Sequence, residues 1–381
     1  MRTAYLKALS LAMLLAILFS IVPTIQAQSS IQDKTVSFLV QNRPGADTYR
    51  LNITIPHSLY QYYNQKSHFV FSPRDFSKFI TPYPFQPVAD QLRQITNSTE
   101  DFVNAVLALV HQIDYVQVEP SKYPIETLME GQGDCDLFVY IAASILEAGG
   151  VPVVLLFYRD LKHMELGVGL DKAPVDARGD IYSVTYEVKK YYVAETTGSS
   201  WRYGWRVGEC PPTYQNATSE VIAPTTMEQT SLGQVSAVIQ QLDPSTLTLQ
   251  LSASVLLQNS YVTISGQILP AQAGENVTLK ARNNNGEWFV VDQAQTDADG
   301  QFSYSWFIQT EGLMEVQAVW EGNDYLNGSA SAVVGVSVVS AYLVLIVVTW
   351  AALCVFLVFV FKLIRRRRSA TSPISAPETH I

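Results

Sequence analysis

Cysteine is scarce in this chain. Three residues, Cys135, Cys210 and Cys354, serve 381 positions. No cluster of cysteine and the five histidines has metal-ligand spacing, so the pattern offers no metal centre and implies no cofactor. Positive charge is short as well, with 25 Lys and Arg against 34 Asp and Glu and a net charge of −9. No basic patch with interleaved aromatics occurs, which argues against nucleic acid as a partner. Long uncharged apolar runs are absent from the body of the chain and stand only near its two ends.

Those two runs set the expected compartment. Arg2 and Lys7 precede an apolar stretch from Ala8 to Val22, followed by Pro23 and "TIQA". That order is the n-region, h-region and small-residue cleavage site of a signal peptide covering 1–27, with an uncleaved anchor as the alternative. The second run, "AYLVLIVVTWAALCVFLVFVF" over 341–361, is long enough to cross a bilayer as one helix. Lys362 and Arg365 to Arg368 follow at once, which marks 362–381 as a cytoplasmic tail. The bulk of the chain is therefore expected outside a cell membrane crossed once. Five Asn-x-Ser/Thr sequons, Asn52, Asn97, Asn216, Asn276 and Asn327, all fall between the runs and are candidate glycosylation sites.

Between the runs the pattern changes near residue 225. Residues 225–245 have little periodicity and read as a linker. Residues 246–339 alternate apolar and polar at period two in seven stretches, "LTLQLSASV" through "SAVVGVSVV", separated by turn clusters. This predicts an antiparallel β-sandwich. "TISGQILPAQAGENVTL", "TDADGQFSYSW" and "VWEGNDYLNGSAS" resemble bacterial and archaeal Ig-like surface domains. "DADG" lacks the later ligand positions of an EF-hand loop and reads as a hairpin turn.

Residues 28–224 mix helix and strand periods, and any chemistry belongs here. "NSTEDFVNAVLALVHQI" puts Phe102, Val106, Leu109 and Ile113 on one helical face, with Ser98 and Asp101 at capping-box spacing. His111, within that helix, reads as structural. "GQGDCDLFVYIAASILEAGGVPV" predicts a helix from Cys135 to about Ala148, with Asp134 as N-cap and Gly149–Gly150 as C-cap. Cys135 then sits in the first turn, where free N–H groups and the helix dipole favour a thiolate and can hold an oxyanion. Gly131 and Gly133 leave the approach open, which makes Gly133 a candidate substrate contact. Three roles stand side by side for Cys135: a buried small hydrophobe, half of a disulfide with Cys210, or a nucleophile. Downstream, "KHMELGVGL" puts His163 and Glu165 on one strand face, and "KKYYVAETTG" ends in Glu195. A cysteine, a histidine and a carboxylate in that order can meet in space. Trp201 follows the carboxylate and is a candidate wall for a peptide or sugar.

The pieces "YPIETLMEGQGDCDLFVYIAASILEAGGVPVVLL", "HMELGVGL", "YYVAETT" and "VGECPPTY" resemble the transglutaminase-like family of the papain-like cysteine-protease superfamily. The resemblance covers about 98–214. It implies an α+β fold with the cysteine helix packed on an antiparallel sheet. It also implies Cys135 as nucleophile, His163 as general base and acid, and Glu195 as the orienting carboxylate, where the family usually has Asp. The expectation is a membrane-anchored extracellular cysteine enzyme acting on protein or peptide amides. Peptidase or amidase activity is favoured over crosslinking. The alternative is a non-catalytic surface binding or adhesion protein that keeps the fold.

Overall fold

The protein is described by a computed structural model over residues 32–41, 43, 46–198 and 200–369. The expected signal peptide and the end of the expected tail lie outside the described residues. The fold is mixed α+β, and the chain divides into two compact units that meet in sequence at Gln241 and Leu242.

The first unit holds two sheets around a helical core. Strands β1 (Lys34–Gln41) and β2 (Thr48–Ile55) form an antiparallel hairpin. Helices α1 (His57–Asn64), α2 (Gln86–Ile95) and α3 (Thr99–Val110) follow. A two-residue parallel pair, β3 (Asp114–Tyr115) with β4 (Gln132–Gly133), brackets α4 (Pro124–Glu130). Then come α5 (Cys135–Ala148), β5 (Val153–Tyr158), β6 (His163–Val168), β7 (Ser183–Tyr186), β8 (Lys189–Ala194) and β9 (Glu220–Ile222). The last five strands form one antiparallel sheet in the order β7-β8-β6-β5-β9.

Helix α5 has the bounds its caps predict. It is apolar all round, and Leu137, Phe138, Val139, Ile141, Ala142, Ile145 and Leu146 are all essentially inaccessible. A helix of that kind belongs in a core, and α5 packs against α2, α3, α4 and β6. Gly150 is left-handed at φ +76°, and the Gly150 and Val151 N–H groups return to the Glu147 and Leu146 carbonyls, closing the helix. The N-terminus differs from expectation. Asp134 occupies the N-cap position, but its side chain makes no capping bond and accepts the Val118 N–H at 3.1 Å instead. In α3, Ser98 Oγ does accept the Asp101 N–H at 3.0 Å, while Asp101 turns to Arg43 at 3.4 Å rather than closing the box.

The segment expected as a linker is largely structural. Ser236–Gln241 forms β10, an antiparallel third strand on β2. Glu228 accepts from Tyr62 at 3.0 Å and pairs with Lys66 at 2.7 Å. Backbone pairing holds this stretch together with Val235, Ala237 and Ile239 packed on the core, while Val238 between them is exposed, so the consecutive apolar residues show no alternation in sequence.

The second unit has nine strands where seven were expected. β11 (Thr246–Leu251), β13 (Ser260–Leu269) and β16 (Gln301–Ile308) form one sheet. β12 (Val255–Leu257), β19 (Val334–Val339), β17 (Gly312–Gly322), β14 (Asn276–Asn283) and β15 (Phe289–Gln295) form the other, with β18 (Asn327–Ala330) on β17. The short strands β12 and β18 are the additions. Both sheets feed one core, with Val262 and Ile264 on one side and Leu279, Val316 and Trp320 on the other. The "DADG" turn is closed by Asp297 Oδ1, which accepts the Asp299 and Gln301 N–H groups at 2.9 Å each. Helix α6 (Ala341–Ser369) follows, and its segment Leu345–Arg366 is long and apolar enough to cross a membrane, with a mean hydropathy of 2.5.

Candidate active site

The ends of three elements bring the expected residues together. Cys135 opens α5, His163 opens β6, and Glu195 directly follows β8, which pairs with β6. All three are buried. Cys135 and His163 line one cavity of about 260 Å³, together with Phe76, Phe157, Met164 and several charged side chains. His163 Nε2 meets Glu195 Oε2 at 2.8 Å. That bond leaves Nδ1 as the ring nitrogen able to take a thiol proton. Tyr214 stacks flat on the imidazole, 4.1 Å between centroids and 7° between planes.

Glu195 is held from its other oxygen. The Thr197 N–H and Oγ1 both donate to Glu195 Oε1 at 2.6 Å. Burial raises the carboxyl, but the His163 bond, the His163 charge and the two Thr197 bonds outweigh it, and the net shift is downward. His111 Nε2 bonds the Glu195 backbone carbonyl at 3.1 Å. Burial depresses its proton affinity, against the pull of Glu195, so the ring is neutral near pH 7 and bonds as a structural residue.

A second carboxyl shares the site. Glu165 lies on the same face of β6 as His163 and is inaccessible. Tyr158 Oη donates to Glu165 Oε2 at 2.6 Å, and Cys210 Sγ points at Oε1 from 3.8 Å. Burial, then the Glu195 charge, push Glu165 up to about 8. Two buried carboxylates side by side cannot both ionise cheaply. His163, Glu165 and Glu195 each offer one ligand atom within 4.8 Å of the others, so they are the donor set a metal ion would use. The strand pattern had put His163 and Glu165 on one face. What it lacked was the loop that carries Cys210 and Tyr214 back to them.

Three expectations need correction, and one open alternative, the disulfide, closes. The Cys135 thiol is not predisposed to ionise. Burial pushes it up to about 12, the Asp136 and Asp134 carboxylates add to this, and the Met164 and Asp136 N–H groups only partly oppose it. The helix dipole is outweighed by desolvation and two adjacent negative charges. Cys135 and Cys210 do not pair, and both are free thiols. Gly133 is not among the residues lining the cavity. A Cβ there would meet Thr127 at 3.0 Å and Leu137 at 3.1 Å, so its smallness serves packing. Trp201 lines a different cavity of about 40 Å³, with His111, Asn104 and Arg206, and stacks under Arg202 at 4.9 Å. Of the sequon asparagines, Asn97, Asn216 and Asn276 are exposed. Asn52 is half-buried on the central strand β2 with its amide oxygen held by Ser37, and Asn327 is half-buried too.

The sequence matches no protein-family model. No curated protein matches it either. A chain from a structural study of T-cell specificity and activation by the bacterial superantigen toxic shock syndrome toxin-1 aligns with 24% of this chain and 99% of its own length. That alignment has 7% identity and a TM-score of 0.20, and nothing is argued from it.

Proposed function

We propose that the chain is a membrane-anchored, extracellular, transglutaminase-like cysteine enzyme that cleaves protein or peptide amides. The observation that carries this reading is the 2.8 Å His163–Glu195 bond at the wall of the cavity that Cys135 also lines. Because the thiol rests neutral, activation falls to His163 at the moment of attack. Nδ1 takes the thiol proton as the sulfur bonds to the amide carbonyl carbon. Free N–H groups in the first turn of α5 receive the oxyanion. The C–N bond then breaks, the imidazolium returns its proton to the leaving amine, and a thioester remains. Water attacks it, with His163 again taking the proton, and releases the acid. Attack by a second amine instead would make a crosslink. Sequons on exposed positions and the basic residues in the last turns of α6 support the outward-facing, single-pass arrangement. The second unit, with its resemblance to Ig-like surface domains, serves as a stalk.

The same buried, neutral thiol favours a second reading, a binding protein that keeps the fold without turnover. The full chain in detergent and its Cys135→Ala variant, given a mixed protein substrate, separate the two. Fragments, high-mass crosslinks and released ammonia are scored together. The enzyme reading expects one of them from the wild type and a loss of about 10³-fold or more in the variant. No Cys135-dependent product leaves the binder.

A further inference from the structure

The cavity beside Cys135 has an unanswered acceptor in its wall. Asp134 lines the cavity at 9% exposure, and its Oδ1 atom is buried with no hydrogen-bond partner. Two more carboxylates line the same space: Asp136, which Ser121 Oγ holds at 2.7 Å, and the exposed Glu119. Among the described residues none of the three enters an ion pair. The cavity's cations do not answer them. Arg159 is engaged by Glu220 at 3.0 Å, and Lys162, at the turn into β6, comes within 4.0 Å of none of the three. A buried carboxylate oxygen without a donor is costly to the protein alone and becomes useful when a ligand brings the donor.

We propose that Asp134, with Asp136 and Glu119 beside it, receives a protonated amine of the substrate next to the amide that Cys135 attacks. An ammonium supplies up to three N–H donors and the missing positive charge. The chemistry is the same for a free peptide N-terminus and for a lysine side chain. The position of the attacked amide rests on the function proposed above, whereas the amine site itself does not.

The site carries a pH signature. Burial, then the neighbouring Asp136 carboxyl, hold Asp134 up at about 7. The other groups facing it are the Cys135 thiol, Tyr140 on α5, Tyr115 on β3, Glu119, and His163, Lys162 and Arg159 from the β5–β6 turn. Burial raises both tyrosines and the thiol, so those three stay neutral near pH 7. As pH rises through about 7 Asp134 sheds its proton, and amine affinity rises with it.

The test uses the full chain carrying Cys135→Ala, in detergent, titrated calorimetrically with three glutamine-containing decapeptides. One is N-acetylated without lysine, one N-acetylated with a single lysine, and one has a free N-terminus and no lysine. At pH 8 at least one amine-bearing peptide binds about tenfold tighter than the neutral one, the size of a single charge-assisted contact. Which of the two does so identifies the source of the amine. Adding Asp134→Asn, or lowering the pH to 6, reduces the preference to under about twofold. The amide oxygen that this substitution introduces can still accept the Val118 N–H, so the loop has its partner. Should that variant melt early, Glu119→Gln, at an exposed position, decides with an expected loss of about two- to threefold. Equal binding of all three peptides overturns the proposal. So do binding of none, and a preference that either substitution leaves unchanged in a folded protein. Preference in the Cys135→Ala chain with no turnover by the wild type removes the enzyme reading and keeps the amine site. Turnover without preference does the reverse.

Discussion

The two units of this chain treat buried charge in opposite ways. The first buries Asp101, His111, Glu126, Asp134, His163, Glu165, Glu195 and Glu209. Among the described residues of the second, the buried polar side chains are Thr296 and Ser331, neither of them ionisable. Burying a charge costs stability unless it is paired and hydrogen-bonded. A sandwich that only has to fold avoids that cost. The first unit accepts it, and four of these residues, Asp134, His163, Glu165 and Glu195, stand where α5, β6 and the end of β8 converge. Some answer one another, as Glu126 does His68 at 2.8 Å. Among the described residues no cation pairs with Asp134 or Glu165, and those two mark the cavity and the space behind it. The contrast supports the proposal that places the chemistry in the first unit, on energetic grounds and independently of any motif.

The sharpest way to break the contrast is to remove the charge that is best supported. In Glu195→Gln the amide must face three donors, the His163 Nε2–H and the Thr197 N–H and Oγ1–H, with only one accepting atom. One end of the amide is wrong whichever way it turns. The expected loss in kcat is about 10²- to 10⁴-fold, with KM nearly unchanged, because the imidazole loses its orientation rather than its contact with substrate. A variant that keeps wild-type kcat removes Glu195 from the proposed machinery.

Glu165 offers a subtler test. At neutral pH its carboxyl is protonated beside Glu195, and Tyr158 donates to its Oε2 atom. Ionisation above about pH 8 sets two negative charges against each other and loosens Glu195. Activity is expected to fall about tenfold as pH rises from 7 to 9. Glu165→Gln, whose amide stays neutral at any pH and can still accept from Tyr158, keeps neutral-pH activity and lacks that alkaline limb. Stability follows the same proton. A carboxyl raised from 4.5 to about 8 binds its proton more tightly in the folded state. The wild type therefore loses stability, relative to the glutamine variant, as pH rises from about 4.5 to 8, and the gap then levels off. Thermal melting of the two chains across that range measures it. A constant gap makes Glu165 a packing residue only.

How much of this was legible beforehand depends on the kind of signal. Helix α5 was readable end to end, because an apolar run between Asp134 and Gly149–Gly150 states its own bounds. His163 was readable as a strand residue and Glu195 as the residue at the end of a later strand, in that order. The thiol's protonation was not, since burial at Cys135 comes from elements distant in sequence. Trp201 was misplaced for the same reason. Following Glu195 by six residues says nothing about which cavity a loop enters, and this one turns toward His111. Strand β10 was missed because Val238, exposed between Ala237 and Ile239, hides the alternation in sequence. The sandwich gained β12 and β18, strands too short to show alternation. Local pattern reveals elements, while the site depends on long-range contacts that pattern does not encode.

The smallest expected effect on activity lies in the second unit and tests the contrast from its other side. Ile264 on β13 is fully buried among apolar side chains of both sheets. Ile264→Ala removes three carbons from a packed core and leaves a cavity, at a cost of about 2–5 kcal/mol. Melting followed through the sandwich's tryptophans should drop accordingly. Below that transition, Cys135-dependent turnover should stay within about twofold of wild type, because this unit buries no group that could touch a reacting atom. A large loss of activity in a chain whose sandwich is still folded would make the second unit part of the active machinery. The division between a unit that buries charge for chemistry and one that buries only carbon for stability would then be wrong.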